Sequence, residues 1–575
     1  MPTISIYHHD LEHLLGRSIA LHELEAWLPL VKGEIKDHVP ATGELRIELQ
    51  DSNRPDLWCV EGIARQIRAA LQQQPVTYSF FSQKPRIRRR IRVMPGLETV
   101  RPFVVACCAR GYTITEDSLT QLIQAQEKLA DLYGHKRWTV SIGLYRLAAI
   151  RFPVTYGLVK PDEVRFVPLG FTEKLTLGEI LSIHPKGQEY GEILAGHTSL
   201  PLLWDQEGQV LSFPPIINSQ DLGEVKPGDT ELMVEVTGTD LRMVLLTLNI
   251  FAVNLADRGA TIEPIDIVYP WTTEWGRTLR TPFTINQIQR ISVHAIEAAL
   301  GVPLGAEAIQ QALAAYGYDV KASRHTLAVR LPPYRQDVMH QVDVAEDVAI
   351  SRGYNSFTPL MPAQFTVGGL SSVERLSDHV RDLMIGAGFQ EIFSNILMSR
   401  EDLLSRMNLP DTPETAVLEI ENVMSHNYSC LRSWIIPSLL RVESASSRSF
   451  YPHRLFEVGE VAIPDSTQEN GSLTLTKLGA LVAHPAANFS EVHTTLDMLL
   501  YYLLTPYILE PIPHPSFLEG RAGRIIWNTC QIGLIGELHP AVLEAWHVEK
   551  PVAVFELNLD TLCQRWAQEG LGVIP

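Results

Sequence analysis

Apolar positions follow two rhythms along the chain. Val60, Ile63, Ala64, Ile67 and Leu71 recur every three or four residues as far as Pro75, which predicts a helix with one buried face. Leu119, Leu122, Ile123, Leu129, Leu132 and Tyr133 do the same between a candidate cap at Ser118 and a stop at Gly134. Further helices are predicted over 306–316, with Ile309 and Leu313 inward, and over 373–386, carried by Val373, Leu376, Val380, Leu383 and Met384. Thr281-Pro282 is expected to open another helical region. Strict alternation marks strands at Leu45, Ile47, Leu49 and at Leu327, Val329, Leu331, and 165–169, 209–213 and 231–236 are further strand candidates. Mixed elements whose strands must pair over long distances indicate an α+β protein. A chain of 575 residues is too long for one core, so three to five domains are expected.

Composition narrows the class. The chain is 45% hydrophobic and 20% charged, ordinary for a globular protein. Six cysteines form no CxxC pair, which fits a reducing compartment with thiols as small core residues. No basic region followed by an apolar run begins the chain, and the apolar stretch 241–256 carries Arg242, Asn249 and Asn254, so neither a signal peptide nor a membrane span is expected. A cytoplasmic protein is the expectation. The net charge of −18 argues against gripping nucleic acid over the whole surface. Lys84, Arg86, Arg88, Arg89, Arg90 and Arg92 form the one dense basic run, either a phosphate contact or an edge strand blunted by charge.

Candidate chemistry lies in three places. In the stretch from Pro332 to Tyr354, an apolar face carried by Val338, Val342, Ala345, Val348 and Ala349 predicts a helix, and Asp343, Glu346 and Asp347 share another face with Asp337 near its start. Clustered carboxylates oppose a helix unless a cation relieves them. Hard oxygens suit Mg²⁺, while a solvated acidic helix start is the plainer account. His9-Asp10-Leu11-Glu12-His13 matches a zinc-protease pattern but has no third ligand or enclosing fold, and is read as coincidence. In the middle of the chain, Asn218, Ser219, Thr237, Gly238, Thr239 and Asp240 either satisfy local backbone groups or line a polar pocket.

The motifs in combination resemble one family. P-x-Y-R-x-D-V, then D-V-A-E-D-V-A and G-Y, resemble the β subunit of phenylalanyl-tRNA synthetase, and so does N-R-P-D-L (53–57) followed by V-E-G-I-A-R-Q. R-P-F-V-V-A, H-P-K-G-Q-E-Y-G (184–191), P-P-I-I-N-S (214–219) and V-T-G-T-D (236–240) appear in the order of that family's editing module, archaeal and eukaryotic type. R-L-F-E-V-G-E (454–460) and V-F-E-L (554–557) resemble its class II synthetase-like domain. The short chain, without an inserted oligonucleotide-binding barrel, agrees with that type.

The resemblance implies four modules: an N-terminal α/β structural module over 1–95, a mixed editing module over 96–270, a small helix-and-strand module over 276–357, and a non-catalytic domain over 361–575 built on an antiparallel sheet. It implies Mg²⁺ at Asp337, Asp343, Glu346 and Asp347, an α subunit as partner in an (αβ)₂ tetramer, tRNA(Phe), and phenylalanine and ATP as substrates of the complex. It also implies hydrolysis of tyrosine wrongly attached to tRNA(Phe). A pocket shaped for phenylalanine rejects an added hydroxyl by only about a hundredfold, whereas a second site that hydrogen-bonds the phenol discriminates far better. Asn218, Ser219 and Thr237 to Asp240 are the candidate lining of that site. One departure concerns 144–148, where related proteins usually carry His-Asp and then Leu-Asp and this chain reads Leu-Tyr-Arg-Leu-Ala. The G-x-G-x-x-x-E-R phosphate clamp of class II enzymes is absent, so no residue of this chain is assigned to aminoacylation, and Gly520 to Arg524 is read as a turn. The alternative is a repurposed RNA-binding or assembly protein of the same architecture.

Overall fold

Three antiparallel strands, β1 (Thr3–Tyr7), β2 (Gly33–Val39) and β3 (Glu44–Leu49), form the first sheet in the order β1-β3-β2. The computed structural model describes residues 2–50, 53–82, 89–285 and 287–569, which fall into two units, Met1–Leu360 and Met361–Pro575. Helices α1 (His8–Leu15) and α2 (Val60–Gln72) pack together beside this sheet. Of the periodic positions of α2, Val60, Ile63 and Ile67 are completely buried and Ala64 nearly so, whereas Leu71 at the last turn is exposed.

The N-R-P-D-L stretch is structural. Its Asp51 and Ser52 neighbours lie outside the described residues, but Arg54 Nε and Nη2 each donate to Asp56 at 2.8 Å in a buried fork. The Asp56 carbonyl runs so close to Gly62 that any Cβ there would collide with it. Glu61 accepts from Arg258 Nε at 2.6 Å, and Asp10 accepts from both terminal nitrogens of Arg258. Glu12 accepts instead from Ser18 and Ile19 N, and His9 meets Asp117, so the residues of the His-Asp-Leu-Glu-His pattern serve separate partners.

A ten-stranded sheet dominates the first unit. Its strands are β4 (Arg89–Val93), β5 (Phe103–Arg110), β6 (Val140–Arg146), β7 (Val154–Val159), β8 (Leu200–Trp204), β9 (Val210–Phe213), β10 (Ile217–Asn218), β11 (Glu231–Gly238), β12 (Thr261–Thr273) and β13 (Gly276–Thr281). The order is β10-β9-β8-β7-β4-β12-β5-β11-β6, with β13 on β12. The described part of the basic run, Arg89 to Arg92, is therefore not an edge strand. β4 lies inside the sheet, parallel to both β7 and β12, with Ile91 and Val93 buried and Arg89 paired with Glu263. Arg90 and Arg92 alternate outward, while Lys84, Arg86 and Arg88 lie outside the described residues.

Helix α3 (Glu116–Lys128) starts one cap earlier than the pattern suggests. Thr115 Oγ1 accepts from Ser118 N, and Ser118 Oγ accepts from Thr115 N, so Ser118 closes a capping box that Thr115 opens. Helix α4 (Leu241–Asp257) is apolar on all sides because it is buried on all sides, lying on β5 and β11. Its two asparagines satisfy neighbouring groups: Asn249 donates to the carbonyls of Phe283 and Pro333, and Asn254 accepts from Arg65 at 2.6 Å. No helix among the described residues is long and apolar enough to cross a membrane.

Thr281 ends a strand rather than opening a helix, because its buried hydroxyl is bound to the Ala106 backbone. After it comes a three-stranded sheet, β14 (Gln289–Ser292), β15 (Asp319–Ala322) and β16 (Thr326–Arg330), in the order β14-β16-β15. Three helices pack with it: α5 (Val293–Leu300), α6 (Ala306–Ala315) and α7 (Gln341–Arg352). Ile309, Leu313, Leu327 and Val329 are fully buried, as their spacing predicts.

The main sheet of the second unit has seven strands in the order β17-β18-β19-β23-β22-β21-β20. They are β17 (Gln390–Glu391), β18 (His453–Pro464), β19 (Ser472–Ala483), β20 (Ile508–Pro511), β21 (Phe517–Trp527), β22 (Cys530–Leu538) and β23 (Val552–Asn558). All pair antiparallel except β17 with β18. Gly520 to Arg524 is strand, not turn: Gly520 at φ 72° lies where the β21 register shifts, a bulge that keeps the chain in the sheet. Helix α8 (Ser372–Gly386) buries Leu376, Val380 and Met384, and α9 (Phe489–Tyr502) buries Leu496, Leu499 and Leu500 while leaving Tyr501 and Tyr502 outside.

Candidate functional site

A cavity of about 260 Å³ opens among α3, β6, β9, β10 and the outer face of β11. Ile123 and Gln126 of α3 border one side, which explains why Ile123 stays exposed despite its helical register. Gln126 Nε2 donates to Ile142 O at 2.8 Å and fixes α3 against β6. The Pro214 to Asn218 stretch forms the opposite wall, pinned by Arg137, which donates to the carbonyls of Pro215 and Ile216 and lies 4.2 Å over the Tyr190 ring.

Of the six residues singled out in the sequence, only Asn218 lines this cavity, with its amide donating to Leu144 O. Ser219 is buried and caps the short helix Gln220–Gly223. Thr237 lies behind the wall, bonded to Ser141 Oγ at 2.9 Å and to Arg101 Nε. Gly238 is wedged against the Thr139 carbonyl, and Asp240 caps α4 by accepting from Arg242 N and Met243 N, with Thr239 exposed beside it. The Thr237 to Asp240 segment is thus the frame of the site rather than its surface.

The pattern passed over Glu235. It lies on β11 one alternation before Thr237, is 2% exposed, and lines the cavity. Its Oε2 accepts from Tyr145 at 2.8 Å, whereas its Oε1 is buried with no hydrogen-bond partner. Burial pushes its carboxyl up to about 7, against the opposing pull of the Tyr145 hydroxyl and the Arg101 guanidinium. A signal existed: Glu235 is the one charge within the apolar run 232–236, and a lone carboxylate in a buried strand requires a purpose or a partner. Ser141 and Ser212 complete the polar wall.

The departure at 144–148 has a structural outcome. Tyr145 is fully buried and is not part of the cavity surface, so its bulk does not fill the pocket. Arg146 donates to the Asp221 carbonyl on the rim.

The four acidic residues of the small module do converge. Asp337, Asp343, Glu346 and Asp347 all border one cavity of about 20 Å³, shared with Lys32, Arg54 and Tyr316. Helix α7 begins only at Gln341, so Asp337 precedes it and Val342, expected inside, is exposed. Each carboxylate has a partner. Asp337 takes both Nε and Nη2 of Arg335, at 3.0 and 2.6 Å, and although burial raises its pKa, that guanidinium holds it below the usual carboxylate range. Asp347 accepts from Arg335 and from Tyr318, Asp343 accepts from Met339 N and His340 N, and Glu346 meets Lys32 at 2.8 Å. Among the described residues no three acidic, histidine or cysteine side chains form a ready metal cage. Mg²⁺ needs only one or two carboxylates and keeps its waters. Asp343 and Glu346, not committed to Arg335, fit that demand, and the Arg335-bound pair does not.

Two family models match the chain: the tRNA synthetase B5 domain over 289–354 and the phenylalanyl tRNA synthetase beta chain CLM domain over 358–559. The phenylalanine–tRNA ligase beta subunit of Borrelia hermsii is 37% identical over 566 residues, spanning 98% of this chain and all of that one. The beta subunit of Thermococcus kodakarensis is 38% identical over 576 residues, 98% and 99% of the two chains. Among solved structures, an N-terminal fragment of the phenylalanyl-tRNA synthetase beta subunit from Pyrococcus horikoshii superposes with a TM-score of 0.57 at 35% identity, covering 61% of this chain and all of the fragment.

Proposed function

The chain belongs to the β subunits of phenylalanine–tRNA ligase, and from that premise we propose how its parts divide the work. The α subunit carries aminoacylation, using ATP and phenylalanine. This chain supplies scaffold and tRNA contact in an (αβ)₂ assembly and clears tRNA(Phe) of wrongly attached tyrosine. The four modules over 1–95, 96–270, 276–357 and 361–575 are the units of that division, with β4 and β13 counted with the ten-stranded sheet of the second. The observation that carries the editing reading is Glu235, which lines a cavity sized for an amino acid and keeps one buried carboxylate oxygen without a partner. A hydroxylated ring satisfies that oxygen and a plain ring leaves it unpaired, which is the kind of difference that gives strong discrimination. Asn218 and Ser141 supply polar groups for the ester, with Ser219, Thr237, Gly238, Thr239 and Asp240 holding them in place.

In the small module, Asp343 and Glu346 would hold Mg²⁺, with Asp337 and Asp347 fixing the surrounding charge through Arg335. When bound, the ion would supply positive charge between the carboxylates of α7. The exposed apolar residues Phe393, Met424 and Phe450 of the second unit are surface for the α subunit.

The test is hydrolysis of tyrosyl-tRNA(Phe) by the co-expressed α and β chains. Deacylation well above the spontaneous rate, abolished by Glu235→Ala, is expected. Spontaneous-rate hydrolysis by an assembly that charges phenylalanine normally would leave this chain as scaffold alone.

A further inference from the structure

Three strands, two of them neighbours and the third from near the other end of the sheet order, each bring one group to the same point behind the cavity. Tyr145 comes from β6, Ser212 from β9 and Glu235 from β11, with the Tyr145 oxygen 2.8 Å from both the Ser212 hydroxyl and Glu235 Oε2. A phenol has one proton, so it donates to the carboxylate and accepts from the serine. Burial holds the Tyr145 hydroxyl well above its ordinary pKa, and it remains a donor at neutral pH. Gly143 makes room for this brace: a Cβ there would collide with the Tyr145 hydroxyl and stand 2.7 Å from Glu235 Oε2. The other oxygen, Oε1, is left without a partner in a residue that borders the cavity.

We propose that Tyr145 is a positioning residue for hydroxyl selection: by holding Oε2 of Glu235 it commits Oε1 to the cavity, where it takes the hydroxyl of a phenol-bearing aminoacyl group. The inference rests on the editing reading and adds to it a residue that touches no substrate. It also makes selection depend on pH. The charged and titratable groups around Glu235 are Tyr145, Tyr156 and Arg101. Arg137, Lys186, Glu127 and Glu224 border the rest of the cavity. Tyr145 donates directly to the carboxylate at 2.8 Å, and its loss removes a group that favours the charged form.

The experiment compares wild type with Tyr145→Phe in the complete ligase, measuring hydrolysis of tyrosyl-tRNA relative to phenylalanyl-tRNA across pH. The ratio is expected to fall about tenfold, the effect of losing a hydrogen bond to a charged group. Its pH midpoint is expected to move upward, a shift that lost packing would not produce. Gly143→Ala, which pushes a methyl group into the same brace, serves as a second variant, and melting curves report whether each is folded. A parallel measurement on the full chain without α compares binding of L-tyrosinamide and L-phenylalaninamide. Wild-type hydrolysis with ratio and midpoint unchanged in both folded variants overturns the proposal and leaves editing standing. Activity lost without a midpoint shift also overturns it. No wild-type hydrolysis, but a preference for tyrosinamide that requires Tyr145, removes editing and supports the positioning role. Absence of both hydrolysis and preference overturns both.

Discussion

Glu235 carries a cost that can be measured without any substrate. Its carboxyl is raised from the ordinary 4.5 to about 7 in the folded chain, so folding favours the protonated form. Stability from this group is fully present below about 4.5 and is lost as pH rises through about 7, at about 3 kcal/mol for a shift of this size. Glu235→Gln is expected to flatten that slope in the melting transition of the first unit, and an unchanged slope would show that the carboxylate is not desolvated. At the acidic site, Asp343→Asn keeps an oxygen for Met339 N and His340 N while removing the charge. It is expected to raise the magnesium concentration needed for assembly with α several-fold while leaving the helix intact, read from a magnesium titration of complex formation. The two sites differ in how far the sequence disclosed them. Acidic residues at i, i+3 and i+4 share a helix face by geometry alone, so their convergence was legible. Glu235 was hidden because its role depends on strands from distant parts of the chain, and the polar-looking Thr237 to Asp240 segment drew notice while serving as cap and frame.

At the level of elements, periodicity read well wherever one neighbour determined burial. α6 buries both positions its spacing names, and α2 and α8 bury most of theirs, with Leu71 exposed and Val373 and Leu383 half-buried. It failed where two surfaces compete, as at Ile123 on the cavity wall, or where sheet order decides, as at β4, whose arginines looked like an edge and lie inside. Thr281 misled because a Thr-Pro pair opens helices only when its hydroxyl is free to cap, and here that hydroxyl is bound to the Ala106 backbone. The tightest local constraint is Gly62, which lets the Asp56 carbonyl rest on α2. Gly62→Ala is expected to cost about 1–3 kcal/mol through overpacking, and more if the turn before α2 shifts. An unchanged melting temperature would show that this turn yields easily.

The second unit opens on a segment whose apolar side chains lie in the open: Met361 is 91% exposed, Phe365 is 100% and Val367 is 96%. Such a stretch invites proteolysis. Limited digestion of the unassembled chain is expected to cut first within 358–371 and to release two fragments that each melt cooperatively; early cleavage elsewhere would contradict the division into two units. Family membership was legible across the whole chain because its motifs occur in order, whereas which groups border a cavity became visible only in the fold. One feature reaches beyond stability. Tyr316 of the small module is flanked by Arg54 at 5.7 Å and Arg335 at 5.6 Å, so motifs 281 positions apart share one aromatic ring. Anyone grafting segments between relatives should therefore exchange residues 1–95 and 276–357 as a matched pair; a hybrid that takes one from each parent inherits two halves of a clasp never selected to close on each other.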